Sequence, residues 1–353
     1  MFSLFARSAP ATAFINGTAV AVAPKETLLQ AALRAGIDFP HSCRVGSCTT
    51  CKCQLRHGKV RQLTPASYVL TAEELAQRYI LACQSVPEGD VHLEVTLPDT
   101  AIRRVSGRVT DQIRLTHDIV ELRVRLDGSL RYKAGQYADI ALAGLPGVRR
   151  SYSFAAPSRL DDQVRFFVRK VPGGAFSVRV NDSDVTGEVM TVEGPKGDFH
   201  LRPAAAPLLF VAGGSGLAPI LAILQDAADA GVERPATLLF GARTHNDLYG
   251  LARIGEIAGR WAAAFNFIPV LSHEADDSFW RGARGQVTAM IPRTLQHGAH
   301  AYLCGPPGMI NSAVGVLSQH GVAPDLIHAD RFVASGGISA ADSNPNNDRG
   351  ETA

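Results

Sequence analysis

Hydrophobic and polar positions change rhythm twice along this chain, and the changes divide it into three parts. In the first hundred residues, short alternating runs flank a helical pattern. FINGT, Phe14 to Thr18, places Asn-Gly between two alternating runs and predicts a hairpin. KETLLQAALRAG repeats its apolar residues at helical spacing, with Pro24 suited to its first turn and Gly36 to its C-cap. Thr71-Ala-Glu-Glu74 has the form of a capping box opening a second short helix, and VHLEVTL, Val91 to Leu97, alternates as a closing strand. This order predicts a small β-grasp unit over residues 1–98, followed by a linker at 99–104.

Over residues 105–203 the runs VSGRVTDQIRL, IVELRVRL, YADIAL, RRSYSFA, QVRFFVRK and EVMTVEGP recur with turn signals between them. That regularity predicts a small antiparallel β-barrel. Over residues 204–333 apolar runs (LLFVAG, TLLFGA, FNFIPVLS, HAYLCGP) alternate with helical stretches, the pattern of a parallel α/β layer. The tail, 334–353, has no apolar periodicity and is expected to be disordered. The fold class is therefore multidomain, α+β followed by α/β.

Composition narrows the possibilities further. At 353 residues the chain exceeds one ordinary core, and 46% hydrophobic against 19% charged residues makes it globular. A net charge of +2 gives no reason to expect a nucleic-acid partner. The start, MFSLFARSAPATAF, lacks a basic segment followed by a continuous apolar one, so no secretory signal is read. The most apolar window, residues 206–231, is interrupted by Gly-Gly-Ser-Gly and Pro219. It reads as buried strand, glycine loop and helix rather than as a membrane span. A cytoplasmic address follows as an expectation, and there clustered cysteines more often bind metal than pair as disulfides.

Four of the six cysteines fall within CRVGSCTTCKC. Cys43, Cys48 and Cys51 stand as C-x4-C-x2-C, and 31 residues separate Cys51 from Cys83. This is the spacing of a plant-type [2Fe–2S] cluster, in which a short loop converges three thiolates and a remote segment brings the fourth. Gly46 permits a left-handed turn, and small Ser47, Thr49 and Thr50 leave backbone N–H groups free for cluster sulfurs. Zinc is the competing metal, but its sites usually pair two short knuckles, and only one is present. Cys53 is spare; strand alternation with Lys52 is expected to turn it away from the cluster.

Further motifs follow in order: RSYS at Arg150 to Ser153, PGGAFS at Pro172 to Ser177, GPKGDF at Gly194 to Phe199, VAGGSGLAPI at Val211 to Ile220, WRGARGQVT at Trp280 to Thr288, and CGPPGM at Cys304 to Met309. With the cysteine loop, they make the chain from about Ala11 to Phe332 resemble a plant-type ferredoxin fused to a ferredoxin–NADP reductase-type module. The order of parts is similar to that of the reductase components of bacterial multicomponent oxygenases, such as benzoate dioxygenase and soluble methane monooxygenase reductases.

The resemblance implies a role for each motif. Arg150 would hold flavin phosphate, Tyr152 would stack on the isoalloxazine, and Ser153 would sit near its N5, with Ser151 on the same strand. Gly173, Gly174 and Ser177 would open a short helix beneath the flavin phosphates. FAD is favoured over FMN, because FMN users of this type more often place their ferredoxin domain last. Gly213, Gly214 and Gly216 would form the nucleotide loop, and Cys304, Gly305 and Pro306 would lie beside the nicotinamide. Ser153 and Cys304 are thus the catalytic candidates. Asp330 stands two residues before Phe332, where the family often has Glu; a place near the flavin and a surface place are both open. For the donor, Arg243 favours a 2′-phosphate and Asp247 a ribose; the resemblance implies NADH, which oxygenase reductases mostly take.

The implied activity is electron transfer from NADH through FAD and a [2Fe–2S] cluster to an oxygenase or hydroxylase component, directly or through an intermediate ferredoxin. A monomer without membrane attachment is expected. Two other readings stand beside it: a reductase for another acceptor, such as a desaturase or a deoxysugar dehydrase, and a non-catalytic iron–sulfur redox sensor. Arg44, Lys52, Arg56, His57, Lys59 and Arg61 crowd the cysteine loop, either as a solvated face or as a basic rim for an acidic acceptor.

Overall fold

The computed structural model describes residues 11–96 and 102–332, apart from Asp38, Ser42, Cys43, Cys48 and Leu160. Its first sheet runs, in order, Thr18–Val22, Ala11–Ile15, Val91–Glu94, Lys52–His57, Tyr79–Leu81. Asn16 and Gly17 join the first two strands with φ of 47° and 85°, the left-handed pair a two-residue hairpin needs. Helix Leu28–Arg34 buries Leu28, Leu29, Ala31 and Ala32 in this unit's core. Its N-cap is Thr27, reciprocally bonded with Gln30, so Pro24 falls in the preceding turn rather than in the helix as expected. The stronger capping residue decides the start. The second capping box forms as read, between Thr71 and Glu74.

The second sheet is antiparallel: Arg150–Ser153, Tyr137–Leu142, Val189–Lys196, Arg103–Arg114, Ile119–Leu126, Gln163–Arg169. A bridge between Phe154 and Phe166 joins its two ends, so the sheet closes on itself. Inside, the Tyr132 ring stacks on Phe154 at 3.7 Å between centroids, and Phe166 lies 5.4 Å from Phe154 on its other contact. The first barrel strand begins at Arg103, inside the stretch expected to be linker; residues 97–101 lie outside the described residues.

The third sheet is parallel throughout, ordered Ala283–Arg284, Phe265–Leu271, Ala236–Ala242, Leu208–Gly213, His300–Gly305, Ile327–Arg331. The chain starts at Leu208–Gly213, builds to one side, then returns to the other. The crevice between Leu208–Gly213 and His300–Gly305 is therefore the switch point, where open α/β sheets take their ligands. Helix Leu217–Asp229 shares one core with the sheet residues Phe210, Leu238 and Tyr302 and with the barrel residues Ala134, Phe167 and Phe199. Being covered on two sides explains its unbroken buried run from Leu217 to Leu224. Among the described residues no helix is long and apolar enough to cross a membrane.

The Phe154 ring is fully buried at the seam of the barrel. Phe154→Ala is expected to cost about 3–5 kcal/mol, seen as a lower denaturant midpoint for the barrel with the β-grasp transition unmoved.

Candidate active site and metal centre

Two of the four predicted metal ligands, Cys51 and Cys83, are buried in the β-grasp unit. The Ala82 amide donates to the Cys51 carbonyl at 3.0 Å, tying the cysteine loop to the remote cysteine's segment. The Gln84 side-chain amide donates to the Arg44 carbonyl at 3.2 Å and approaches Cys83 Sγ at 3.7 Å. Arg44, Gly46 and Thr49 all have positive φ, which curls the loop tightly. A Cβ on Gly46 would sit 2.8 Å from Gln84 Cγ, so only glycine fits there. Cys43 and Cys48, the other two predicted ligands, lie outside the described residues. Buried thiols, a curled loop and a side-chain donor aimed at one sulfur suit a [2Fe–2S] group. Cys53 is a fully buried core thiol, pushed up to about 12 by burial and then by nearby Cys83.

The RSYS strand presents its residues unequally. Ser153 is buried, Tyr152 and Arg150 half-buried, and Ser151 exposed with its hydroxyl donating to Asp139 at 2.6 Å. Tyr152 rests 5.5 Å from Phe176, and burial pushes its phenol up. Gly173 has φ 73°, and Gly174 caps helix Ala175–Asp182. Ser177 is buried, and its hydroxyl accepts from the Val171 amide at 3.0 Å. That hydroxyl therefore serves the turn, leaving the backbone N–H groups of the helix start for phosphate.

The glycine loop and the CGPP turn are built against each other. A Cβ on Gly216 would lie 2.2 Å from the Cys304 carbonyl oxygen, and one on Gly213 would lie 2.5 Å from Met309 Sδ. Gly214, with φ 54°, offers its carbonyl to the Tyr249 hydroxyl at 2.9 Å. Cys304 is fully buried, and burial pushes its thiol well up, with Asp330 adding to the shift. Asp330 is its neighbour on the next strand. The Asp330 carboxylate accepts from Ser153 Oγ at 3.4 Å, so the flavin strand and the edge strand Ile327–Arg331 meet here. Asp330 is part-buried against Ser153 rather than standing free on the surface. Burial pushes its carboxyl up to about 6, against the Ser153 bond and Arg331. The Phe332 amide donates to the Gly305 carbonyl at 3.0 Å, closing this end of the sheet.

A cleft of about 170 Å³ opens beside the glycine loop. Gly213, Gly214, Pro306 and Met309 line it on one side, and Arg243, Asp247 and Ser272 on the other; Asp118 and Arg169 come from the barrel. Arg243 donates to Asp118 at 3.1 Å and to Asp247 at 3.0 Å, and Arg169 donates to Asp118 at 3.0 Å. Two guanidinium groups thus balance two carboxylates across the domain boundary. Burial raises the Asp247 carboxyl, yet bonds from Thr244 and Arg243 hold it below the ordinary range. Asp118, Arg169, Tyr249 and Gln84 were missed in the sequence. None belongs to a motif, and only folding brings them to the site. The basic rim is partly neutralised as well: Lys52 pairs with Glu74 at 2.6 Å and Arg56 with Glu94 at 2.5 Å.

Comparison with known proteins places families on all three parts. Residues 13–88 match a 2Fe-2S iron-sulfur cluster binding domain, 106–201 an oxidoreductase FAD-binding domain, and 210–315 an oxidoreductase NAD-binding domain. The xylene/toluene monooxygenase electron transfer component of Pseudomonas putida is 42% identical, over 87% of this chain and 89% of that protein. The phenol 2-monooxygenase reductase component of Pseudomonas sp. strain CF600 is 34% identical over 90% and 92%. Among solved structures, an Amycolatopsis cytochrome P450 reductase superposes with a TM-score of 0.73 at 33% identity, covering 91% of this chain and 98% of that one.

The pH response of Asp330 checks this geometry. Its folded-state pKa of about 6 lies above the ordinary 3.8, so the folded protein binds the extra proton between those values. Its contribution to stability is therefore lost as pH rises through that window. Asp330→Asn is expected to abolish this slope, measured by thermal melts from pH 4 to 7. It should also remove an inflection near pH 6 from NADH–ferricyanide activity.

Proposed function

The chain belongs to the family of electron-transfer reductase components of multicomponent oxygenases, and on that premise we propose how its own residues carry electrons from NADH to an oxygenase partner. A bound flavin would supply the exchange between a hydride pair and single electrons, and a [2Fe–2S] centre the one-electron exit. The observation that carries the assignment of roles is the Ser153–Asp330 contact beside Cys304. It joins the strand read as flavin-binding to the one beside the turn read as nicotinamide-binding, which supports a hydride donor and acceptor meeting there.

Each residue has a stated task. The glycine loop at Gly213, Gly214 and Gly216 accepts the dinucleotide backbone, and Cys304, Gly305 and Pro306 shape the nicotinamide side of the pocket. Arg150 and the helix start at Gly173 and Gly174 hold flavin phosphate. Tyr152 and Phe332 would stack against a bound flavin, and Ser153 holds a proton at its Oγ toward Asp330. Cys43, Cys48, Cys51 and Cys83 would hold the iron. NADH is preferred because Arg243, the cation read as favouring a 2′-phosphate, is already balanced by Asp118 and Asp247. Two of the most similar relatives, the xylene/toluene and phenol systems, are named for aromatic substrates, and an oxygenase acting on an aromatic compound is the partner we favour. Its docking surface is the cluster-bearing unit, where Lys59 and Arg61 are exposed and so are the apolar Val45 and Leu63.

Two measurements test this reading. In an anaerobic NADH titration, Cys83→Ser should keep flavin bleaching near the wild-type rate and lose the reduced-cluster EPR signal and cytochrome c reduction. Retention of that signal would reject the ligand set. NADPH should reduce the flavin far more slowly than NADH. Asp247→Asn, which deletes one charge-assisted partner of Arg243, should narrow that preference by about tenfold, equivalent to about 1.4 kcal/mol.

A further inference from the structure

The contact between the β-grasp unit and the barrel rests on a residue that no motif singles out. Tyr137 opens the barrel strand Tyr137–Leu142 and is 7% exposed. Its hydroxyl donates to the carbonyl of His41 at 2.5 Å, across 96 positions of sequence. His41 stands two residues before Cys43. His41 is itself held, with its ring nitrogens bonded to the Phe39 carbonyl at 2.8 Å and to Arg44 at 3.0 Å. The bond from Tyr137 therefore grips a stiff part of the cluster loop.

The other side of Tyr137 faces the flavin strand. In the antiparallel pairing Tyr137 lies directly opposite Ser153, so the two side chains leave the sheet on the same face. On the other flank Tyr137 pairs with Lys196, a buried cation bonded to Asp139 at 2.7 Å and Glu193 at 2.9 Å. The ring has a prepared seat: a Cβ on Gly197 would lie 2.8 Å from its Cε1, and Gly197 has φ 86°. One side chain thus spans from the strand partner of Ser153 to the main chain of the cluster loop.

We propose that Tyr137 is the positioning residue for electron passage from flavin to cluster: through its bond to the His41 carbonyl it holds the iron-binding loop against the barrel face that carries Ser153. In each passage the reduced flavin loses one electron and one ferric ion of the cluster becomes ferrous; Tyr137 gains and loses nothing. The proposal rests on the assignment of Cys43 as a ligand and Ser153 as a flavin neighbour. One hydroxyl bond is worth about a two- to tenfold change in an equilibrium between docked and parted domains.

Tyr137→Phe in the full, cofactor-loaded chain tests it, since it removes only the hydroxyl. Rapid mixing with NADH should show flavin bleaching within twofold of the wild-type rate. Cluster reduction, followed by freeze-quench EPR, should slow by about two- to tenfold. Amide exchange over residues 39–46 should rise by a similar factor, with the cluster's EPR line shape unchanged. Unchanged cluster reduction and unchanged exchange would overturn the proposal. Slower flavin bleaching would overturn it too, because the hydroxyl would then serve the flavin itself. Loss of iron in Cys43→Ser separately checks the ligand assignment: failure there strikes the premise, and failure in Tyr137→Phe strikes the proposal.

Discussion

The site depends first on how closely two backbones approach at the carboxyl ends of neighbouring parallel strands. Gly216 passes so near the Cys304 carbonyl that any side chain on it would collide with main-chain atoms. Backbone cannot yield as a flexible side chain can, so the absence of a Cβ is a condition of the fold there. That approach fixes the nucleotide loop relative to Cys304, and Cys304 is paired with Asp330 on the adjoining strand. Asp330 in turn reaches the barrel through Ser153. Three separate stretches of chain are thus referred to one close contact.

Much of the architecture was legible because its signals are local. The Asn16-Gly17 turn, the Thr71 capping box and the six barrel runs all depend on residues within a few positions of one another. The exception is instructive: Pro24 was read into the first helix, but Thr27 with Gln30 offers a reciprocal cap that proline cannot. The long apolar run at Leu217 was legible as buried, though not why. Only the shared core with Phe199 and Ala134 shows that the helix is covered twice.

The site was legible where chemistry demands fixed spacing and illegible where it demands only proximity. Cys51 and Cys83, the glycines and the RSYS strand announce themselves by interval. Gln84 does not, although it grips both the cluster loop and Cys83 Sγ. Nor do Asp118, in the turn before strand Ile119–Leu126, and Arg169, at the end of strand Gln163–Arg169; Arg169 bonds Asp118, and Asp118 meets Arg243 only once the domains are docked. Charge pairing is likewise a matter of proximity, not of spacing. Six basic residues left a solvated face and a basic rim both open; in the fold, Glu74 from a helix pairs with Lys52, and Glu94 from the neighbouring strand pairs with Arg56. Paired surface charges of this kind contribute little to stability but remove much of a field.

The ion-pair chain across the cleft bears on how such proteins can be recombined. Asp118 belongs to the barrel, while Arg243 and Asp247 belong to the parallel-sheet domain. A chimaera that took only its nucleotide domain from a relative would leave half of this balance behind. On the proposed role of Arg243, coenzyme choice is not a portable property of one module, and a graft meant to carry it would include the turn Thr116–Asp118 from the donor's barrel.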